Sequence, residues 1–293
     1  MDRDLTLELK TKIAERRALL VPGASNALTA RLIEEMGFEA VYITGAGVTN
    51  TFFGMPDLGF IGLSDLVAHT TAVREAVNLP LIVDIDTGFG NALNVHHTVR
   101  AIERAGANGI QIEDQVMPKR CGHFNGKDVV SASEAAIRIR AAVEARRDAN
   151  FQIIARTDAR ATHGLDDAME RAQRFVDEGA DIIFIEAPES LQEVETVLAR
   201  FDRPQVLNLV IGGKTPIVPL ADAERLRVGM VLYANIALQS AVAGMRQALG
   251  RLKEDGRCDE DTPGVASFRE RQALVRKPHF DALDARYTLA GDD

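Results

Sequence analysis

Short apolar and β-branched runs alternate along the chain with stretches of helical periodicity. The runs fall at 19–21, 40–44, 81–84, 109–113, 152–156, 182–186, 205–208 and 230–233. Between them, apolar positions three and four apart predict helices over 27–36, 64–77, 95–105, 133–145, 165–178, 191–201, 220–226 and 236–252. End signals support several of these, with Ser64 and Ser133 as N-caps and Gly106 and Gly179 just past a last turn. Eight successive strand–helix units predict a parallel sheet closed into a (β/α)8 barrel of the TIM type. The competing architecture is a doubly wound open sheet. It calls for a Gly-rich phosphate loop after the first strand, and Pro22-Gly23-Ala24-Ser25 is not one.

Two pieces lie outside the repeat. An N-terminal helix within 1–18, over 5–16, is placed to plug the lower mouth of the barrel. The C-terminal tail, 255–293, reads as further helix from 267 onward. Its Leu274, Phe280, Leu283 and Tyr287 form an apolar stripe that suits packing on the body or on another subunit. No linker or low-complexity tract divides the chain, so one domain over 1–293 is expected.

Composition narrows the class of partner. The 293 residues are 46% hydrophobic and 26% charged, with a formal net charge of -9, the opposite of the basic surface that nucleic acids select. Residues 1–17 are charged from the second position, which excludes a secretory h-region there. No stretch approaches the roughly 18 apolar residues of a membrane span. Two cysteines, Cys121 and Cys258, make no disulfide framework, so a cytoplasmic setting is expected, without nucleic-acid or membrane partners.

Chemistry concentrates at the carboxyl ends of the predicted strands, where barrels of this type place their sites. Those ends supply Tyr42 and Thr44, then Asp84 and Asp86, Glu113, Arg156 and Asp158, Glu186, Asn208, and Tyr233. Acids are depleted from strand interiors, so their recurrence here is hard to explain as packing. Asp84 and Asp86 flank Ile85 and, in an extended segment, point to one face. With Glu113 on the adjacent strand they offer hard oxygen ligands suited to Mg²⁺; alternatively, Asp86 merely opens the loop Thr87-Gly88-Phe89-Gly90. Arg156 presents a fork for a carboxylate, or an ion pair with Asp158 or Glu186. Gly45-Ala46-Gly47 offers backbone N–H groups to an anion.

The loop after the fourth strand contains Lys119-Arg120-Cys121-Gly122-His123. Two cations and a His beside a thiol lower its pKa and poise it for proton transfer or attack. A lone Cys is also commonly an inert small hydrophobe. A long loop over a barrel mouth suits a lid.

Taken in order, Tyr42-Ile43-Thr44-Gly45-Ala46-Gly47, Pro56-Asp57-Leu58-Gly59, Asp84-Ile85-Asp86-Thr87-Gly88-Phe89-Gly90, Ile112-Glu113-Asp114-Gln115, Lys119-Arg120-Cys121-Gly122-His123, Ala155-Arg156-Thr157-Asp158 and Gly212-Gly213-Lys214-Thr215-Pro216 resemble the isocitrate lyase and phosphoenolpyruvate mutase superfamily over nearly the whole chain. The Cys loop resembles the carbon–carbon lyase branch, 2-methylisocitrate lyase-like and near the dimethylmalate lyase and oxaloacetate hydrolase relatives. The resemblance implies Mg²⁺-dependent cleavage of a 2-hydroxy di- or tricarboxylate to a 2-oxo acid and a second carboxylic acid, with Mn²⁺ as a substitute ion. It implies metal ligation by Asp84 and Asp86 with Asp57 and Glu113 nearby, and catalysis by Cys121 as general acid with His123, Glu186 and Arg156. Substrate contacts fall to Tyr42, Thr44, Gly45, Ala46, Asp86, Cys121, Gly122, Arg156, Glu186, Asn208 and Val210.

Two departures matter: Ile211 stands where the 2-methylisocitrate lyases carry an acid, and Gln239 where they carry an Arg for an additional carboxylate. An amide does not replace a guanidinium fork, which points to a smaller malate-like acid or to oxaloacetate, whose decarboxylation or hydrolysis is the alternative reaction. The resemblance further implies a homotetramer, a dimer of dimers that exchange the helical tail.

Overall fold

The computed structural model describes residues 4–120, 122 and 126–288. Its elements run α1 (Leu5–Ala14), β1 (Leu19–Ala24), α2 (Ala27–Glu35), β2 (Val41–Ile43), α3 (Gly45–Phe53), α4 (Leu63–Ala76), β3 (Leu81–Asp84), α5 (Ala92–Arg104), β4 (Gly109–Glu113), α6 (Ala132–Ala145), β5 (Gln152–Thr157), α7 (Arg160–His163), α8 (Leu165–Asp177), β6 (Ile182–Ile185), α9 (Leu191–Arg200), β7 (Val206–Asn208), α10 (Leu220–Arg225), β8 (Met230–Tyr233), α11 (Ile236–Asp255), α12 (Phe268–Leu274) and α13 (Lys277–Tyr287). The strands pair in parallel in the order β6-β5-β4-β3-β2-β1-β8-β7. A parallel bridge between Ile183 and Gln205 joins the two ends. The sheet thus closes as the predicted (β/α)8 barrel.

Each strand alternates between an inner and an outer layer, because successive side chains leave opposite faces. Leu19, Val21, Ile82, Ile154, Ile182, Phe184, Val206, Met230 and Leu232 form one buried cluster, and Leu9 and Ile13 of α1 join it. The opening helix therefore plugs this core, as its position predicts. The intervening Val83, Ile153, Ile183 and Ile185 pack outward into a larger cluster with α5, α6 and α8. The same period of two carries the polar strand ends inward: Ile82 leads to Asp84, Ile154 to Arg156, Phe184 to Glu186 and Val206 to Asn208.

Helix starts are shifted by local chemistry. The N-cap of α4 is Gly62, whose N–H donates to the Asp65 carboxylate at 3.0 Å, rather than Ser64. The N-cap of α6 is Ser131, accepting from Glu134 N–H at 3.2 Å, rather than Ser133. At α6 the Ser131 side chain satisfies a free amide two residues before Ser133, whereas α4 starts on a glycine with no side-chain cap and Asp65 closes the turn by accepting from its N–H. The segment Gly45-Ala46-Gly47, read from sequence as a loop, is the first turn of α3, capped by Thr44.

Contacts divide the chain into two compact units, Met1–Ile236 and Ala237–Asp293. The first contains the barrel. In the second, α12 starts in a capping box in which Ser267 accepts from Glu270 N–H and Glu270 accepts from Ser267 N–H, and Cys258 is exposed. None of the residues of α11, α12 or α13 is buried. No helix among the described residues is long and apolar enough to cross a membrane.

Candidate active site

The inward polar strand ends meet in one cavity. It is lined by Tyr42, Asp84, Gln111, Glu113, Arg156, Phe184, Glu186 and Asn208 from the barrel, with Thr44, Ala46, Asp57, Lys119, Arg120, Gly122 and Val210 from the loops above it. Its volume is about 40 Å³, space for a few waters at ~10–15 Å³ each. The charged groups already lean on one another across it.

Arg156 is the hub. Its Nη1 lies 3.1 Å from Glu113 Oε2, and its Nε lies 3.0 Å from Asp158 Oδ2 and 3.5 Å from Glu186 Oε2. The guanidinium also sits over the Phe184 ring, 5.2 Å from its centroid, in cation–π range. Both alternatives for Arg156 are therefore present: it is ion-paired, and it faces the cavity. Burial alone would make Asp158 harder to ionise, but Arg156 and Lys127 outweigh it and hold this carboxyl below its ordinary range. Burial lifts Glu113 well above the ordinary range despite Arg156.

Asp84 and Asp86 do not simply extend one strand face. Asp86 has a φ of +50°, a left-handed conformation that Asp tolerates better than most residues and that recurs where a site dictates the backbone. Asp84 Oδ1 accepts the Asp86 N–H at 3.2 Å, and the Asp86 carbonyl accepts the Glu113 N–H at 2.9 Å. Asp84 Oδ2 accepts from Gly45 N–H at 3.3 Å, so the N-terminus of α3 supports a carboxylate of the protein itself. Gly47 N–H is likewise taken by Thr44 Oγ1 at 3.3 Å. The amides of Gly45 and Gly47 expected to face a ligand are committed, while Thr44 and Ala46 do line the cavity.

The sequence marks Lys119 only as a neighbour of the thiol. In the fold its buried ammonium reaches Asp57 Oδ1 at 2.5 Å and Asp86 Oδ1 at 2.7 Å. Burial would depress its pKa, yet Asp86, Asp57 and Asp84 together raise it well above the ordinary value. Burial, with Asp84 and Asp57 beside it, pushes Asp86 up to about 7. Tyr42 donates to Gln111 Oε1 at 2.5 Å, and burial raises its phenol well above the ordinary value. Asn208 Nδ2 donates to Glu186 at 3.3 Å. Gln111 and Lys127 were also missed, the first inside an apolar run and the second an isolated lysine. Cys121 and His123 lie outside the described residues.

Six buried carboxyls, Asp57, Asp84, Asp86, Glu113, Asp158 and Glu186, face three buried cations, Lys119, Lys127 and Arg156. Among the described residues, Asp86 Oδ2 and Glu113 Oε1 are buried without a hydrogen-bond partner. Such a surplus is what a divalent cation offsets. No three acidic, His or Cys side chains among the described residues are grouped to hold a metal alone. The donor set fits an ion held by one or two carboxylates and completed by water and ligand oxygens.

Known proteins are similar to this chain over nearly its whole length. The family model described as phosphoenolpyruvate phosphomutase matches residues 9–253. A 2,3-dimethylmalate lyase of Eubacterium barkeri is 42% identical, over 96% of this chain and 97% of its own. A 2-methylisocitrate lyase of Aeropyrum pernix is 44% identical, over 98% of this chain and 92% of its own. Among solved structures, oxaloacetate acetylhydrolase with 3,3-difluorooxalacetate has a TM-score of 0.91 at 31% identity, covering 99% of this chain and 100% of that one. Phosphonopyruvate hydrolase complexed with oxalate and Mg²⁺ has a TM-score of 0.86 at 32% identity, covering 96% of this chain and 99% of that one. The chain belongs to the phosphoenolpyruvate mutase and isocitrate lyase superfamily. It is an enzyme, a lyase of that superfamily.

Proposed function

We propose that the chain is a Mg²⁺-dependent carbon–carbon lyase that cleaves a malate-like 2-hydroxy acid of the 2,3-dialkylmalate type to pyruvate or a similar 2-oxo acid plus a second carboxylic acid. The observation that carries this reading is the buried surplus of carboxyls at the strand ends, with Asp86 Oδ2 and Glu113 Oε1 left unpaired. Asp84 and Asp86 would hold the ion directly or through water, with Asp57 and Glu113 beside them. When bound, Mg²⁺ supplies positive charge to the oxygens of the 2-oxo acid half of the substrate.

In the reaction the 2-hydroxyl gives its proton to solvent, its oxygen becomes the new carbonyl, and the bond between carbons 2 and 3 breaks; a proton equivalent from solvent later restores the thiol that protonates carbon 3. The electron pair goes to carbon 3, and from there into its carboxylate as an enolate. Cys121 donates the proton that completes the second acid at carbon 3. His123 and Glu186 support that donor, and Arg156, Asn208, Thr44 and Ala46 orient the substrate, with Tyr42 and Val210 in the wall. The wall also contains Phe184, Leu232 and Ala234, apolar surface that suits an alkyl substituent. Among the described residues the lining cations include Lys119 and Arg156, both engaged by acids of the chain; the Gln239 departure is what favours a substrate with two carboxylates over one with three.

The test supplies the purified protein with Mg²⁺ and, in parallel, 2,3-dimethylmalate, 2-methylisocitrate and oxaloacetate, and identifies products. Faster formation of pyruvate and propionate from the dialkylmalate is expected. Faster release of carbon dioxide, or of oxalate plus acetate, from oxaloacetate would replace the lyase reading by decarboxylation or hydrolysis.

We also infer that the second unit is covered by other copies of the chain, as the exchanged tail of a homotetramer. Met245, Leu249, Phe268, Phe280 and Tyr287 are exposed there, on helices that bury none of their residues in one copy, and apolar surface of this extent marks an interface. Light scattering should return about four times 31.9 kDa; a monomer would contradict the inference.

A further inference from the structure

The hairpin bearing the Lys-Arg-Cys-Gly-His run is fixed at its base by main chain. Val116 N–H donates to Asp128 O and Val130 N–H to Asp114 O, each at 2.9 Å, and Gln115 bridges antiparallel to Val129. On the outgoing limb the Gln115 side chain clamps Arg120, donating to its carbonyl and accepting from its N–H, each at 2.8 Å. On the returning limb stands Lys127, whose side chain is 2% exposed. Its ammonium donates to the Gly122 carbonyl and, at 2.8 Å, to Asp158 Oδ1.

Both partners of Lys127 touch the centre of the site. Asp158 is fully buried and accepts from Arg156 Nη2 at 3.1 Å. Gly122 is pressed so closely on the hub that a Cβ added to it would lie 2.3 Å from Arg156 Nη2 and 2.7 Å from Glu186 Cγ. Lys127 itself does not line the cavity. Burying an ammonium forfeits its hydration, and here that loss is offset by one backbone carbonyl of the loop and one carboxylate of the barrel.

We propose that Lys127 is a positioning residue for the cleavage: by bridging the Gly122 carbonyl to Asp158 it pins the loop main chain over the Arg156–Glu186 pair. The role rests on the assignment of Cys121, the residue next to Gly122, as the proton donor. It acts on the proton transfer and leaves the binding of the 2-oxo acid half to other groups.

The test compares the Mg²⁺-loaded wild type with Lys127→Ala. The variant should lose ~10²-fold in kcat, the scale of an ångström-sized misplacement, while KM and the dissociation constant of oxalate stay within ~3-fold. Ethylammonium, which fits the vacated space, should restore kcat in a saturable way in the variant and leave the wild type unchanged. A kcat within ~3-fold of wild type, or an equal loss of oxalate affinity, overturns the proposal. Should Lys127→Ala not fold, Lys127→Gln takes its place, neutral and one bond shorter. A kcat loss of ~10-fold at unchanged oxalate affinity then supports the role, and unchanged kcat contradicts it. If the wild type cleaves no malate-like acid, the lyase reading fails on its own. The loop role is then read from trypsin, whose cleavage after Arg120 should quicken ~10-fold in Lys127→Ala and would be unchanged if the role is wrong.

Discussion

Cys121→Ala should reduce carbon–carbon cleavage by ~10²–10⁴-fold, the usual contribution of a positioned proton donor, while Mg²⁺-dependent oxalate binding survives. Cys121→Ser should be nearly as inactive, because a hydroxyl is a far weaker acid than a thiol. The reason lies in the division of labour proposed for the site. The carboxyls of Asp84, Asp86 and Glu113 serve the half of the substrate that becomes the 2-oxo acid, and the loop serves the half that must receive a proton. Steady-state kinetics with calorimetry of oxalate binding separates the two. Full activity in either variant would remove Cys121 from the mechanism.

Arg156→Met should cost both stability and activity. Arg156 lies within ion-pair reach of Glu113, Asp158 and Glu186, all buried. Removing one member of a buried ionic network typically costs ~3–5 kcal/mol, since the remaining charges are left uncompensated. In a chain of this size that corresponds to a melting temperature lower by about 10 °C. Glu113, already held above the ordinary carboxyl range mainly by burial, can relieve part of the loss by taking a proton. The folded form then binds more protons than the unfolded one, so the stability deficit should narrow as pH falls. Arg156→Lys should recover some stability but little activity, because an ammonium cannot reproduce the planar fork shared among three acids. Thermal melts over pH and turnover assays check both parts; a variant as stable as wild type would show that Arg156 is not the hub of the charge network.

Much of this site was legible in the sequence because the barrel is strictly periodic. Once 81–84, 152–156 and 182–186 are read as strands, alternation alone carries Asp84, Arg156 and Glu186 to the inner face, and the fold places strand ends at one mouth. The short runs were therefore enough to bring most of the predicted cavity residues together. Other features were invisible for stated reasons. The first turn of α3 contains Gly45 and Gly47, poor helix formers, and forms because Thr44 caps it and Asp84 accepts from Gly45 N–H. Lys119 meets Asp57 across 62 positions of sequence, and Lys127 meets Asp158 across 31. Nothing local marks a lysine for burial, since its partners arrive only with the tertiary fold. The left-handed backbone of Asp86 is likewise a product of its neighbours' hydrogen bonds. Ile211 and Gln239 bear on substrate size, and identification of the products formed from 2,3-dimethylmalate and 2-methylisocitrate decides between two and three carboxylates.

The most direct test of the central claim follows 2-oxo acid release from 2,3-dimethylmalate by the wild-type protein with Mg²⁺, then with a chelator, then with Mg²⁺ restored. Release should stop on chelation and resume on restoration, because the acidic strand ends outnumber the buried cations Lys119, Lys127 and Arg156 that face them. Release that continues at an undiminished rate in the chelator would contradict a metal-dependent site at this mouth.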